Sequence, residues 1–347
     1  MCEKDANSEE EIMKIALIGA GSWGTALALL LADVGHEVRL WVFEEPGSAE
    51  ILEKRENIIY LPGFPFPDNL TPSHDIESCM DEAEIILTVV PTQVYRHVLP
   101  NLVPFVKPGM VFLSASKGIE NNTLKRVTEI LHEFLDPAGV RQIGVISGPS
   151  FAKEVAKKYP TAVTVAFEDE KMAKEIQHAF ACDYFRLYRH TDLVGIEFCG
   201  ALKNVIALAS GMVEGLGYGL NTRAALINRG LVEIMRMGLV LGGDPTTFSG
   251  LAGMGDLVLT CTGGLSRNLT VGRELGKGRN IDDIVSSMKM VAEGVKTAIS
   301  VKQLVTKMGM EMPISEKVYE IIYDGKAPAE GVVELLTRSL KSEKEIF

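Results

Sequence analysis

The sequence predicts an α/β domain built on a parallel sheet, followed by a second domain made of helices. Three observations predict it. Lys14 to Ile18 form a short apolar run that ends on Gly19-Ala20-Gly21-Ser22-Trp23-Gly24 and leads into a helix-like stretch. Further apolar runs then alternate with helical segments, the pattern of a sheet covered on both faces. From Asp192 onward the helical spacing continues with almost no strand signal. The division is expected near residue 191, giving a dinucleotide-binding domain over 13–191 and a helical substrate-binding, catalytic domain over 192–347.

Length and composition bound the reading. A chain of 347 residues can bury two cores. Residues 1–12 set five acids against Lys4, so they carry −4 of the net −11 and read as a disordered acidic extension, with Met13 as an alternative start. The overall negative charge disfavours nucleic acid or an anionic membrane as a general partner. No apolar run of membrane-spanning length and no secretory leader is expected, because the chain opens on polar and acidic residues. Five scattered cysteines without CxxC spacing argue against a disulfide framework or a zinc site and fit a reducing cytoplasm; no metal is expected. The six histidines show no triad or metal spacing.

The first element carries the clearest chemistry. Gly-x-Gly-x-x-Gly between strand and helix is the Rossmann-type fingerprint: Gly19 for the tight turn, Gly21 for approach of a pyrophosphate, Gly24 for close helix–strand packing. Residues 23–34 are a nearly all-apolar helix stopped at Gly35, and 36–43 alternate as a second strand. Glu44, twenty residues after Gly24, can accept hydrogen bonds from an adenine-ribose 2′-hydroxyl and repel a 2′-phosphate, which favours NAD over NADP. The proline-rich stretch 60–72, opening on Tyr60, is a loop that could edge the cofactor. Strands at 84–90, 110–115 and 143–146 end on Pro91, on Ser116-Lys117-Gly118 and on Ser147-Gly148-Pro149-Ser150, placing Lys117, Gly148 and Ser150 where such sheets collect ligands. Helices are expected at 93–103, 121–135 and 170–181, and residues 161–167 and 185–188 could extend the sheet. Helices at 192–212, 222–241, 292–308, 314–323 and 328–340 complete the chain.

In the second half, Lys203 sits inside the apolar helical stretch CGALKNVIALA beside Asn204. An isolated lysine there could simply snorkel; in a partly buried pocket its pKa falls and it can act as general acid or base. The glycine-dense run 250–255 brings Asp256 to a turn, where it either caps the next helix or pairs with Lys203. Thr260 to Asn268 read as a polar loop in which Arg267 offers a fork suited to phosphate and Thr260, Ser266 and Asn268 add donors.

Taken together, GAGSWGTALA, WVFEE, SASKGIE, SGPSFAKEV, EFCGALKNVIALASG, LAGMGDLVLTCTGG, SRN and VAEGVKT resemble the NAD-dependent glycerol-3-phosphate dehydrogenase family from about residue 13 to 340. The resemblance implies a helical domain of the 6-phosphogluconate dehydrogenase type. It implies reversible reduction of dihydroxyacetone phosphate to sn-glycerol 3-phosphate, supplying the glycerophospholipid backbone. It also implies Lys203 as proton acceptor in the oxidation, with Lys117, Asn204, Asp256, Thr260 and Arg267 in one active site and Arg267 and Asn268 at the phosphate. Ser22, Trp23, Ala152, Val291 and Glu293 match positions lining the cofactor, and a homodimer is expected. One departure stands out: relatives that accept NADP carry arginine where this chain has Phe43. Two other readings stay open, a dehydrogenase of the same shape acting on a 3-hydroxy acid or 3-hydroxyacyl thioester, and a catalytically silent nucleotide sensor.

Overall fold

The computed structural model describes residues 12–43, 48–288 and 291–343. The expected acidic extension, apart from Ile12, and Glu44 lie outside them.

Eight strands form one sheet in the order β3-β2-β1-β4-β5-β6-β7-β8. They are β1 (Lys14–Ile18), β2 (Glu37–Trp41), β3 (Leu70–Ser73), β4 (Ile85–Thr88), β5 (Val111–Ser114), β6 (Gln142–Ser147), β7 (Thr161–Phe167) and β8 (Phe185–His190). In β1, Ile15 and Leu17 pack into one core and Ala16 and Ile18 into another, on the opposite face. Burial on both faces is why the strand reads as a continuous apolar run rather than an alternating one. From β1 the order runs outward both ways, so the carboxyl ends of β1 and β4 border the crevice where ligands bind in such sheets.

One pairing departs from the expected parallel sheet: β7 runs antiparallel to β6. The link between them, residues 148–160, carries only a short helix, Ala152–Ala156, and the chain turns back from the end of β6 instead of crossing over. The strand expected at 185–188 continues to His190.

Helices α1 (Ser22–Val34), α2 (Ala49–Lys54), α3 (Ile76–Met80), α4 (Tyr95–Leu102), α5 (Val127–Leu135), α6 (Ala152–Ala156) and α7 (Glu170–Phe180) accompany the sheet. The helix expected from 121 starts only at Val127, because Asn122 and Leu124 take positive φ. The second half holds α8 (Leu193–Gly215), α9 (Leu220–Val240), α10 (Pro245–Ser249), α11 (Asp256–Thr262), α12 (Arg267–Gly276), α13 (Ile281–Ser286), α14 (Glu293–Met308), α15 (Pro313–Tyr323) and α16 (Pro328–Leu336). The segment 245–286 is thus more helical than its glycines suggested. A π-helical turn, Leu251–Gly255, runs directly into α11, so Asp256 opens a helix instead of sitting on a turn.

α8 is the axis of this half. By length and composition alone it could cross a membrane, contrary to the expectation that no run reaches that length, but 94% of its most apolar window is buried inside the protein. Its neighbours α9, α11, α12 and α14 supply that burial. α12 lies against it backbone to backbone: a Cβ on Gly272 would stand 2.0 Å from the carbonyl oxygen of Leu208, and one on Gly211 2.2 Å from that of Leu269. Polar ties join α8 and α14 to the sheet half. Buried Glu197 accepts from Arg126 (2.7 Å) and from the backbone N–H of Thr128 (2.9 Å) at the start of α5, and Ser300 donates to the carbonyl of Ile119 (2.8 Å).

The α8–α12 approach leaves no room for a methyl group. Gly272→Ala should destabilise the protein by about 1–3 kcal/mol in a denaturant titration. Gly264→Ala, whose Cβ would meet nothing within 4 Å, should fold like the parent apart from a small loop effect.

Candidate active site

Three charged side chains from three places in the chain meet at one carboxylate. Lys117 follows β5, Lys203 lies in the middle of α8, and Asp256 opens α11. The Lys117 Nζ donates to Asp256 Oδ2 at 2.7 Å, and the Lys203 Nζ lies 3.1 Å from Oδ1. Asp256 and Lys203 are both buried. Gly200, one turn before Lys203, faces the side chains of Ser147 and Lys117: a Cβ there would stand 3.1 Å from the Ser147 Oγ and 3.4 Å from the Lys117 Cγ. The ammonium of Lys117 also donates to the carbonyl of Gly148 (3.0 Å), and that of Lys203 to Thr260 Oγ1 (2.7 Å). Thr260 in turn donates to the Asp256 carbonyl at 2.6 Å, which fixes its oxygen as an acceptor toward the lysine.

The balance of forces on Lys203 is uneven. Burial pushes its pKa down to about 8; Asp256 opposes the shift and the nearby Lys117 charge adds to it. A lysine near 8 exchanges its proton in the physiological range. With two N–H bonds engaged, the third is available to a ligand.

These groups open onto a cavity of about 390 Å³ that reaches the glycine-rich turn after β1. Gly21, Ser22, Trp23 and Gly24 line one end, and Tyr60, Leu61 and Pro62 of the proline-rich loop border it. The turn is built as the fingerprint requires. Gly19 has φ +116° and is packed against Val89, a Cβ on Gly24 would stand 1.9 Å from the Gly19 carbonyl oxygen, and one on Gly21 would point into open space. That open space is a cradle for a group held close to backbone N–H donors. Among the described residues, two buried polar atoms of the lining lack a hydrogen-bond partner, the Trp23 indole Nε1 beside the glycine turn and the Glu293 Oε2. Burial raises the Glu293 pKa to about 7, against the pull of Arg267, a backbone hydrogen bond from Thr92, and the charges of Lys203 and Lys117. A donor and an acceptor left open in one cavity with a glycine cradle fit a dinucleotide.

Arg267 opens α12 and lines the same cavity with Ser266 and Asn268. The Ser266 Oγ caps α12 by accepting from the Leu269 N–H (3.2 Å). Asn268 is buried and works between helices: its amide donates to Asn204 Oδ1 (2.9 Å) and its oxygen accepts from the Gly294 N–H (3.0 Å). Asn204 donates to the carbonyls of Lys117 and Gly200, each at 3.3 Å. This relay locks α8, α12 and the start of α14 in register around the cavity.

Of the residues singled out in the sequence, Lys117, Ser150, Ala152, Lys203, Asn204, Asp256, Thr260, Ser266, Arg267, Asn268, Val291 and Glu293 line this cavity together with Gly21 to Gly24 and Tyr60. Gly19 lies beneath the turn, and Gly148 contributes through its carbonyl rather than as a wall. Phe43 is not part of the lining; it is 63% exposed and its ring meets Trp41 edge-on at 5.9 Å. Sequence reasoning missed the Asn268–Gly294 bond, which no local spacing signals. It also missed the cavity-lining Phe151 and Lys153, although both stand inside the quoted SGPSFAKEV stretch.

Comparisons with known proteins agree over most of the chain. The family models described as NAD-dependent glycerol-3-phosphate dehydrogenase N-terminus and C-terminus match residues 14–173 and 192–333. A glycerol-3-phosphate dehydrogenase [NAD(P)+] of Citrifermentans bemidjiense is 52% identical over 330 residues, 95% of this chain and 98% of the relative. Another of Geobacter sp. strain M21 has the same identity and coverage. The crystal structure of the glycerol-3-phosphate dehydrogenase of Coxiella burnetii superposes with a TM-score of 0.89 at 38% identity, covering 94% of this chain and 99% of that one.

Asp256→Asn would leave two ammonium groups facing each other with no countercharge. It should lower stability by about 3 kcal/mol at neutral pH. Without Asp256 the Lys203 pKa falls further, so the loss should shrink as pH rises toward about 8 and level off above it, measured as denaturant midpoints of variant and parent across pH.

Proposed function

The chain belongs to the NAD-dependent glycerol-3-phosphate dehydrogenase family, and from that membership we propose how its cavity interconverts dihydroxyacetone phosphate and sn-glycerol 3-phosphate. It is an NAD(P)-dependent oxidoreductase acting on a CH–OH group. The observation that carries the assignment of roles is that the Lys203 ammonium, the Arg267 guanidinium and the glycine turn share one cavity.

The nicotinamide cofactor supplies or accepts the hydride. Gly21, Ser22, Trp23, Gly24, Tyr60, Ala152, Val291 and Glu293 would hold it, with Gly19 shaping the turn and Lys117 and Arg267 adding positive potential. Lys203 is the proton carrier. As ammonium it donates its free N–H to the carbonyl oxygen at C2 and gives up that proton as the carbonyl becomes an alcohol. As neutral amine it takes the proton back in the oxidation. Asp256 and Thr260 aim the lysine by occupying its other two N–H groups. Lys117 keeps the site net positive while holding Asp256 in place, and Asn204 anchors the backbone of Lys117. Arg267 grips the phosphate, with Asn268 and Ser266 positioning its helix, Ser150 lining the wall beside Lys117 and the Gly148 carbonyl holding the Lys117 ammonium. Because the phosphate is remote from the reacting carbon, that grip is used to orient it.

NAD is the preferred cofactor in this reading. Phe43 offers no charge where an arginine would meet a 2′-phosphate, and Glu44, outside the described residues, stands at the sequence distance for a ribose hydroxyl. The reaction supplies the glycerophospholipid backbone. The protein works in the cytoplasm as a homodimer; Cys79, Cys182, Cys199 and Cys261 are free thiols, which fits a reducing compartment.

An NADH-oxidation assay with dihydroxyacetone phosphate tests these roles. Lys203→Ala should lower kcat by about 10²–10⁴-fold while NADH still binds; full activity would exclude the lysine as proton carrier. In the parent, kcat/KM for reduction should be level below pH 8 and fall above it. Oxidation of glycerol 3-phosphate should rise up to about the same pH. Arg267→Ala should raise KM for dihydroxyacetone phosphate by about tenfold or more with a smaller change in kcat, and near-normal KM would remove the phosphate role.

A further inference from the structure

The charges around the cavity do not pair evenly. Lys117 and Lys203 share Asp256, and Arg267 is attracted to Glu293. A fourth cation has no such companion. Lys153, in the first turn of α6, lines the same cavity and is exposed. Among the described residues its ammonium makes no ion pair or hydrogen bond. Its neighbours on this segment are otherwise engaged: Lys158 pairs with Asp33 at 2.6 Å, and the Lys157 ammonium stands over the Tyr159 ring. Lys153 alone of the three is left to the cavity.

Its place in the fold says which anion it would meet. α6 packs on α1, the helix that begins at the glycine turn, and Ala152 and Lys153 border the cavity with Gly21 and Ser22. Above Gly21 there is open space. Phe151 is wedged against the loop before α12, where a Cβ on Gly263 would meet its ring at 2.4 Å, so a bulky ring stands beside Lys153 on the side of that loop. A dinucleotide brings two negative charges on its diphosphate, and the N–H groups of the turn offer only partial charges in return. A flexible ammonium is suited to that task, since it needs no fixed fork geometry.

We propose that Lys153 is a further cofactor-binding residue, whose ammonium neutralises the diphosphate of the dinucleotide above the glycine turn. The inference rests on the cofactor reading given above and adds a residue to it. The interaction is with the diphosphate that NADH and ADP-ribose share, and neither the nicotinamide ring nor the substrate takes part.

The test uses the full-length enzyme and its Lys153→Ala and Lys153→Arg variants, titrated with NADH, ADP-ribose and adenosine at low and moderate salt. Lys153→Ala should bind NADH and ADP-ribose about tenfold more weakly at low salt. Adenosine binding should not change, and the salt dependence of NADH binding should be shallower. Lys153→Arg should recover most of the loss. KM for dihydroxyacetone phosphate at saturating NADH should stay as in the parent. Equal NADH affinity in Lys153→Ala and parent would overturn the inference. So would a loss confined to the KM for dihydroxyacetone phosphate, which would put Lys153 at the substrate phosphate. Failure of the parent itself to bind NADH and ADP-ribose would overturn the cofactor reading, a result distinct from either. Matching thermal midpoints would establish that the exposed substitution leaves the fold intact.

Discussion

One carboxylate shared by two lysines is the constraint around which this molecule is built. Asp256 receives Lys117 from the sheet half and Lys203 from the core of the helical half, at 2.7 and 3.1 Å. The site therefore exists only when both halves are folded and docked. Much of the local architecture serves that meeting. A π-helical turn sets the start of α11, and the Asn204–Asn268–Gly294 relay keeps α12 and α14 at the same level.

Such a cluster adds little to stability. Desolvating three charged groups consumes most of what their attraction returns, and a well-packed apolar replacement would serve the fold as well. The folded-state pKa of Lys203 lies below its unfolded value, so its burial destabilises the protein fully below about pH 8, and that penalty fades as pH rises toward 10.5. What holds the molecule together lies elsewhere, in the two apolar layers on the faces of the sheet and in the burial of α8. Those cores support a site whose charges are arranged for proton transfer and anion binding.

The sequence revealed those parts whose physics is local. The glycine turn was legible because tight backbone geometry leaves glycine few substitutes, and β1 because burial on both faces removes polar residues. Lys203 stood out as a charge in an otherwise apolar helix. What depended on distant contacts was less visible. The glycines before Asp256 looked like a loop, whereas they form a π-helical turn in which Gly253 lies against the backbone of Phe248; Gly272 of α12 packs on the backbone of Leu208, an approach that is tertiary. The return of β7 antiparallel to β6 follows from where residues 148–160 run, which periodicity does not encode. Glu197, six residues before Lys203, faces the start of α5 and ties the halves together, a contact that sequence spacing does not signal. Ser266 could be read as a ligand donor, and its hydroxyl is used to cap a helix.

The account comes down to a substrate held between Lys203 and Arg267 in the cavity that reaches the glycine turn. A crystal structure of the enzyme with NAD and dihydroxyacetone phosphate tests it most directly. The account predicts the carbonyl oxygen of the substrate about 3 Å from the Lys203 Nζ, with the phosphate on the Arg267 guanidinium. A phosphate bound away from Arg267, or a carbonyl out of reach of Lys203, would contradict it.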